Sequence, residues 1–192
     1  MTDDHPNGAA RRRFLRQMAG AATTLLPAVG ALPLVARATG DMRLLAMDHT
    51  HTGERIELAY ATGGEYLPGA LGSLNHFLRD HYSGDVGRID PALFDLLHAV
   101  RATLGIEDPA RCRYQVISGY RSPATNARLR KTGGGGVATR SLHLQGQAID
   151  VRLAGVPLAE LRDAALSLKA GGVGYYPGEQ FVHIDTGRVR TW

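Results

Sequence analysis

Two histidines and an aspartate in the C-terminal part of the chain have the residue types that bind a catalytic metal ion. His143 and Asp150 belong to the pattern S-x-H-x-x-G-x-A-x-D over residues 141–150, and His183 follows in the segment FVHID. Imidazole nitrogens and carboxylate oxygens are the ligands that zinc takes in open catalytic sites, where water fills the fourth position. These three residues are therefore predicted to hold one Zn²⁺ ion per chain.

The spacing of the three residues also fits extended chain. Over residues 148–153, polar and apolar positions alternate so that Asp150 lies on the face opposite the large aliphatic residues. His183 alternates with aliphatic neighbours in the same way. We therefore expect two neighbouring strands to present Asp150 and His183 on one face, with His143 reaching in from the preceding glycine-containing loop.

Further motifs accompany this pattern along the chain, in the order HTGE (51–54), LNHFLRD (74–80), SGYRS (118–122), AGGVGYYP (170–177) and FVHIDTG (181–187). With these motifs the chain resembles the M15-type zinc D-Ala-D-Ala peptidases, a group that shares its metal site with lysostaphin-type enzymes and hedgehog domains. The resemblance is closest to the periplasmic murein-endopeptidase branch, the YcbK-like proteins once filed as a domain of unknown function. It runs from about His51 to Trp192.

The resemblance implies a zinc peptidase that hydrolyses peptide stems or cross-links of peptidoglycan, with His143, Asp150 and His183 as ligands. Arg121 matches an arginine that faces the developing oxyanion in M15-type enzymes, and a guanidinium group can also hold a substrate carboxylate. The alternative for Arg121 is a solvated surface side chain. Ser141 matches the family serine, which is expected to hydrogen-bond a metal ligand or the substrate.

The general base stays open at this point. Amide hydrolysis requires a proton shuttle close to the attacking water, and many relatives place a carboxylate three residues before the second histidine, where this chain has Gln180. Asp185 is the preferred catalytic carboxylate, because it shares the strand face of His183 about 6–7 Å along the chain. Its alternative role is an ion pair that anchors Arg121 or a ligand histidine, and Glu179 is the second candidate base.

Other residues receive structural interpretations beside functional ones. Tyr175 and Tyr176 are expected to line the substrate groove, with core packing as the alternative. Residues 133–136, four glycines, are expected to form a mobile loop over the site or a plain surface loop. Cys112, the single cysteine, excludes an intrachain disulfide and is expected to be buried rather than nucleophilic. The remaining histidines outside residues 1–38 are not expected to be ligands: His49, His51, His76, His81 and His98.

Residues 1–38 are predicted to be a twin-arginine signal peptide. The sequence RRRFLR (11–16) matches the export motif, an apolar run follows from Met18 to about Val35, and ARA (36–38) is an A-x-A cleavage signal. Two prolines interrupt the apolar run, so no permanent membrane span is expected. These features predict export to the periplasm through the twin-arginine machinery, and the alternative is a cytoplasmic protein with a basic tail.

The mature part, residues 39–192, is expected to be a single domain. Without the five arginines and two aspartates of residues 1–38, the 22 basic and 18 acidic residues of the chain leave a net charge of +1. A nearly neutral domain gives no electrostatic case for a nucleic-acid partner.

Hydrophobic periodicity predicts an α+β fold: a small, mostly antiparallel sheet with flanking helices, like that of hedgehog domains and D-Ala-D-Ala peptidases. Strands are expected at 44–47, 55–60, 114–118, 148–153, 173–176 and 181–185, and helices at 67–82, 91–105, 123–130 and 156–171.

Two other functions are compatible with the residues. Two histidines and one carboxylate also form the facial triad of non-haem iron oxygenases, although those enzymes need another histidine well downstream of the H-x-D pair at His183. A non-catalytic murein-binding module that keeps zinc for stability is the other alternative. Gln180 at the expected carboxylate position is the best support for that module, and the zinc peptidase is the preferred prediction.

Overall fold

The described part of the chain forms eight strands and four α-helices. The structure is a computed structural model that describes residues 42–132 and 137–192; the predicted signal peptide and the glycine run at 133–136 lie outside these residues. The elements in chain order are β1 Met42–His49, β2 Arg55–Thr62, β3 Glu65–Tyr66, α1 Pro68–Phe77, α2 Pro91–Thr103, β4 Tyr114–Ser118, α3 Pro123–Thr132, a 3₁₀ turn Leu142–Gln145, β5 Ala148–Leu153, α4 Leu158–Ser167, β6 Gly172–Tyr176, β7 Phe181–Asp185 and β8 Arg190–Thr191.

All eight strands belong to one sheet in the order β3-β2-β1-β4-β5-β7-β6-β8. The pairs β1–β4 and β6–β8 are parallel, and the other neighbours are antiparallel. The predicted α+β class with a mostly antiparallel sheet is confirmed. The sheet is wider than expected, because the two-residue strands β3 and β8 extend its edges and are too short to show a periodicity in the sequence.

One hydrophobic core joins the sheet to helices α2 and α4. Large apolar side chains of β1, β4, β5 and β7 pack there with those of the two helices: Leu45, Met47, Tyr114, Val116, Ile149, Val151, Val182, Ile184, Leu93, Phe94, Leu97 and Leu161. Because side chains alternate along a strand, Asp150 and His183 lie on the face of β5 and β7 that points away from this core. Helices α2 and α4 therefore pack on one face of the sheet, and the face that carries Asp150 and His183 stays available for a site.

Helices α1 and α4 both end earlier than predicted. Helix α1 ends at Phe77 rather than Tyr82, since the Asp80 carboxylate accepts hydrogen bonds from the backbone N–H groups of Tyr82 and Ser122, at 2.9 Å each. Helix α4 ends at Ser167, because Lys169 adopts a left-handed conformation with φ of 50°. The helix pattern in the sequence did not reveal either stop.

The start of α2 was predicted correctly and ties the helix to the ligand-bearing segments. Asp90 caps the helix by accepting from Ala92 N at 3.0 Å, and it also accepts from Thr186 Oγ1 just after β7, at 3.2 Å. Asp90 N donates to Gly146 O at 2.9 Å. Gly146 has φ of 67°, and a Cβ there would lie 2.0 Å from Arg88 O. Only glycine therefore fits the G position of the pattern over residues 141–150.

Cys112 is buried as predicted, and its thiol donates to Ala154 O at 2.9 Å. Burial raises the pKa of this thiol, which disfavours the nucleophilic thiolate. Among the described residues, no helix is both long enough and apolar enough to cross a bilayer.

Candidate metal centre

The structure brings His143, Asp150 and His183 together. Asp150 on β5 and His183 on β7 are directly paired across the antiparallel ladder, and His143 reaches them from the 3₁₀ turn. The distance from His143 Nε2 is 3.3 Å both to His183 Nδ1 and to Asp150 Oδ1. His183 Nδ1 lies 2.8 Å from Asp150 Oδ1. Within residues 42–132 and 137–192, this is the one group of three or more side chains of metal-ligating type whose donor atoms converge.

The donor set fits zinc. Ligand atoms about 2.0–2.1 Å from a tetrahedral zinc are about 3.3 Å apart, and two of the three separations have this value. All three side chains are largely buried, with residue exposures of 2%, 6% and 9% for His143, Asp150 and His183. Two imidazoles and one carboxylate leave room for a further ligand, as in open zinc sites.

Hydrogen bonds on the far side of each ring orient the histidines. His143 Nδ1 donates to Gly119 O at 2.7 Å; because a carbonyl only accepts, the proton is on Nδ1 and the Nε2 lone pair faces the cluster. His183 Nε2 donates to Asp185 Oδ2 at 3.0 Å, which leaves the Nδ1 lone pair for the cluster. Carboxylate and carbonyl partners of this kind fix the tautomer and the ring plane of metal-binding histidines.

Asp185 is fully buried, and its carboxylate is saturated with donors. Besides His183, it accepts from the backbone N–H groups of Gly172 at 3.0 Å and Gly187 at 2.9 Å, and from Arg190 at 2.6 and 3.1 Å. A Cβ on Gly172 would lie 2.5 Å from Asp185 Oδ2, so glycine is required for this approach. The geometry corresponds to the anchoring role that the sequence left as an alternative for Asp185.

The three charged groups shift one another's protonation. Burial alone lowers the pKa of His183, but hydrogen bonds and charge from Asp150 and Asp185 outweigh it and raise the pKa to about 9. Burial alone raises the pKa of Asp150, but its interactions with His143 and then with His183 outweigh burial and hold it well below its usual range. The pKa of Asp185 is also held low, since the bonds from His183 and Arg190 outweigh its burial. Without a metal ion, His183 is therefore protonated at neutral pH between two carboxylates, and its Nδ1 lone pair becomes available to a metal when that proton is lost.

The cluster forms part of the wall of an open cleft of about 450 Å³. The other lining residues are mainly basic or aromatic, with one further carboxylate: Arg121, Val137, Ala138, Arg140, Ser141, Leu142, Tyr176, Glu179, Phe181, Arg190 and Trp192. Three arginines make the cleft suited to a substrate that carries carboxylate groups.

Arg121 and Ser141 both line the cleft. The Arg121 guanidinium is 3.6 Å from Asp150 Oδ2 and 3.4 Å from Ser118 Oγ, and its side chain is only 12% exposed. This low exposure and these contacts favour a role for Arg121 in the site over the alternative of a solvated surface side chain. The Ser141 hydroxyl makes no capping bond to the 3₁₀ turn that follows it.

Tyr175 was wrongly predicted to face the substrate. It pairs with Val182, so it lies on the core face of β6, where its ring stacks under Arg162 at 4.6 Å. Tyr176 lies one residue further on and lines the cleft instead. The alternation that places His183 in the site puts the paired Gly174, and not Tyr175, on the site face.

Several cleft residues were missed from the sequence. Phe181 could have been found, because it lies two residues before His183 on the same strand face. Arg190 and Trp192 carried no such signal, since they reach the cleft only through the parallel pairing of β8 with β6. Arg140 precedes the metal pattern and belongs to no strand or helix.

His49, His51 and His81 form a separate ring cluster. The His51 and His81 rings stack at 4.2 Å, and His49 lies edge-on at 5.6 Å from His81. Burial, followed by the neighbouring histidines, lowers the pKa of His49 to about 4, so its ring is neutral.

The mostly antiparallel α+β sheet thus carries a buried His–Asp–His cluster, a donor set that could hold a metal ion, at an open cleft. A family model described as peptidoglycan L,D-endopeptidase MepK matches residues 37–192. The chain therefore belongs to this family of M15 peptidases.

Individual relatives agree with the family. The chain is 43% identical over 185 residues to the peptidoglycan L,D-endopeptidase MepK of Escherichia coli strain K12, covering 95% of this chain and 97% of the relative. It is 41% identical over 154 residues to the probable MepK of Haemophilus influenzae, covering 80% and 81%. The crystal structure of the L-Ala D-Glu endopeptidase ChiX of Serratia marcescens has a TM-score of 0.33 and 23% identity, covering 52% of this chain and 68% of that chain.

Zinc binding should release a proton. Metal ligands must be deprotonated, whereas His183 is protonated below its pKa of about 9 in the metal-free protein. We expect about one proton released per zinc at pH 7, and an apparent affinity that rises about tenfold per pH unit from pH 6 to 8. Titration calorimetry in buffers of different ionisation enthalpy measures the release. Release of no proton in any buffer, with a pH-independent affinity, would contradict the assignment.

Proposed function

We propose that this chain is a zinc-dependent peptidoglycan endopeptidase that hydrolyses peptide cross-links. The observation that carries the proposal is the convergence of His143 Nε2, Asp150 Oδ1 and His183 Nδ1 at an open cleft. Family membership supports the substrate class, because the relatives named above are endopeptidases of peptidoglycan. The basic lining of the cleft supports it too, since peptidoglycan stem peptides carry free carboxylates.

The three donors would hold the zinc ion, and the residues around them would supply the remaining functions. A bound zinc ion polarises a scissile carbonyl and lowers the pKa of water. Arg121, held in the cleft beside Asp150, would stabilise the negative charge that develops on the carbonyl oxygen. Ser141 has a hydroxyl that is not used for capping, and it would hydrogen-bond the substrate.

Asp185 is proposed as a positioning residue, and Glu179 as the proton shuttle. The Asp185 carboxylate is fully buried and accepts from four groups, so no lone pair is left for a substrate water. Among the described residues that line the cleft, Glu179 is the one carboxylate besides the ligand Asp150. Glu179 would take a proton from the attacking water and return it to the leaving amine.

A non-catalytic zinc-containing murein-binding module is the second candidate function. The saturation of Asp185 and the amide of Gln180 at the usual carboxylate position favour it, since both remove a base. Gln180 has φ of 60° in the turn before β7, and its side chain donates to Pro177 O. Turnover of a defined muropeptide separates the two candidates.

The proposed site of action is the periplasm, reached through the twin-arginine machinery. The support comes from the motif RRRFLR and the A-x-A signal in residues 1–38, which lie outside the described residues. Peptidoglycan as a substrate agrees with this compartment.

Zinc-loaded mature protein, residues 39–192, should cut cross-linked muropeptides, as read by mass spectrometry of the products. Ala in place of His143, Asp150 or His183 should remove stoichiometric zinc and all turnover, because two ligands hold the ion poorly. His76→Ala, a histidine outside the cleft, is the matched control and should keep both. Tight binding of muropeptides by the wild-type protein without any cleavage would favour the binding module.

Asp185→Asn and Glu179→Gln should separate positioning from proton transfer. Asp185→Asn should lower zinc content and stability together while the rate per bound zinc changes little, since the amide has no negative charge and only one acceptor oxygen for the N–H groups that now share two. Glu179→Gln should keep full zinc and lower kcat by about 10²–10⁴-fold. Zinc per protein and initial rate are measured on the same samples. If Asp185→Asn kept full zinc and lost as much kcat as is expected for Glu179→Gln, Asp185 would be the general base instead.

Export should depend on the arginine pair. Replacing Arg11 and Arg12 together with Lys should stop export, because the twin-arginine receptor reads the guanidinium pair, and cleavage in the wild-type protein should fall just before Thr39. Cell fractionation and N-terminal sequencing of the mature protein measure both. Undiminished periplasmic accumulation of the double variant would indicate the general secretory route.

A further inference from the structure

Strand β8 places Trp192 against the candidate ligand His183. The centroids of the two rings are 5.2 Å apart, with an interplanar angle of 52°. Trp192 Nε1 donates to the Tyr176 hydroxyl at 2.7 Å, which fixes the indole plane. The backbone holds the residue as well, through Tyr175 N to Trp192 O at 3.0 Å and Trp192 N to Val173 O at 3.4 Å.

The neighbouring strand is built to accommodate this side chain. A Cβ on Gly174 would lie 2.7–2.9 Å from three atoms of the indole ring, so the ring packs directly on the glycine backbone. Gly174 pairs with His183 across β6 and β7, which places the indole and the imidazole side by side. The position of Trp192 is therefore set by the sheet and not by a free tail.

Trp192 keeps 48% of its surface exposed, and it is one of the residues that line the cleft. The Arg190 guanidinium lies 4.8 Å from its ring centroid and is held by Asp185, so the ring cannot turn away without breaking these contacts. A large aromatic surface that stays exposed inside a concave site provides contact area for a ligand at little cost in conformational entropy. Most other lining groups beside it are polar or charged.

We propose that Trp192 is a substrate-binding residue, whose indole face packs on the aliphatic part of the stem-peptide residue next to the bond that is cut. This inference rests on the proposed function. Stem peptides combine carboxylates with short aliphatic groups, such as the methyl of alanine or the methylene chain of a diamino acid. The arginines of the cleft suit the carboxylates, and the indole supplies the apolar surface that the aliphatic groups need.

Trp192 is the only tryptophan of the chain, so its fluorescence reports on this position alone. A purified cross-linked muropeptide dimer is titrated into the metal-free mature protein, in which binding is observed without turnover. The emission should change saturably, with the same midpoint as binding measured by calorimetry. Binding seen by calorimetry with unchanged emission would overturn the proposal.

Three variants test the contact in the zinc-loaded protein. Trp192→Ala should raise KM about tenfold and change kcat by less than about threefold, with zinc content unchanged, because it removes one aromatic contact to the substrate. Trp192→Phe should recover most of the loss, since it keeps a flat apolar ring. Tyr66→Ala, an exposed aromatic residue on β3 at the other edge of the sheet, should leave KM unchanged.

The outcomes separate this inference from the proposed function. Normal cleavage by Trp192→Ala with a native KM overturns the inference and leaves the function standing. A wild-type protein that cuts no muropeptide but shows the saturable emission change refutes the endopeptidase and supports the contact. If Trp192→Ala does not fold, the KM of Trp192→Phe and the emission change of the wild-type protein test the contact instead.

Discussion

The hydrogen bond between His183 Nε2 and Asp185 is the interaction on which the candidate centre depends. It turns the other nitrogen of His183 toward Asp150 and His143. A fully buried carboxylate is costly unless its lone pairs are satisfied. Here two backbone N–H groups and the guanidinium of Arg190 satisfy them. The positioning of His183 thus requires the backbone N–H groups of Gly172 and Gly187 and the guanidinium of Arg190 on β8.

The sheet register supplies the second constraint. Asp150 and His183 face each other because β5 and β7 pair in one register, and a slip of either strand by one residue would turn its own ligand toward the helices. The core residues on the opposite face hold that register, so the stability of the fold and the geometry of the site depend on the same two strands. His143 is fixed separately, since Gly146 must approach the backbone of Arg88 before the 3₁₀ turn can point His143 inward.

The sequence predicted the parts of this arrangement that depend on short-range patterns. Asp150 and His183 could be placed on one face because strand alternation is local, and the α+β class followed from the same periodicities. The roles of residues whose partners lie on distant strands could not be predicted from the sequence. Asp185 could be placed beside His183, but its saturation needed Arg190, which a parallel strand pairing brings in. Tyr175 was wrongly placed because the pairing of β6 with β7, and not the composition of the motif, decides which tyrosine faces the cleft.

We propose that three donors, oriented by Asp185 and Gly119, hold one zinc ion at the cleft. Anomalous diffraction from a zinc-loaded crystal, recorded on both sides of the zinc absorption edge, tests it most directly. We expect one strong peak within about 2.0–2.2 Å of His143 Nε2, Asp150 Oδ1 and His183 Nδ1, with Asp185 still bound to His183 Nε2. A peak coordinated by His183 Nε2 or by Asp185, or one located outside the cleft, would contradict it.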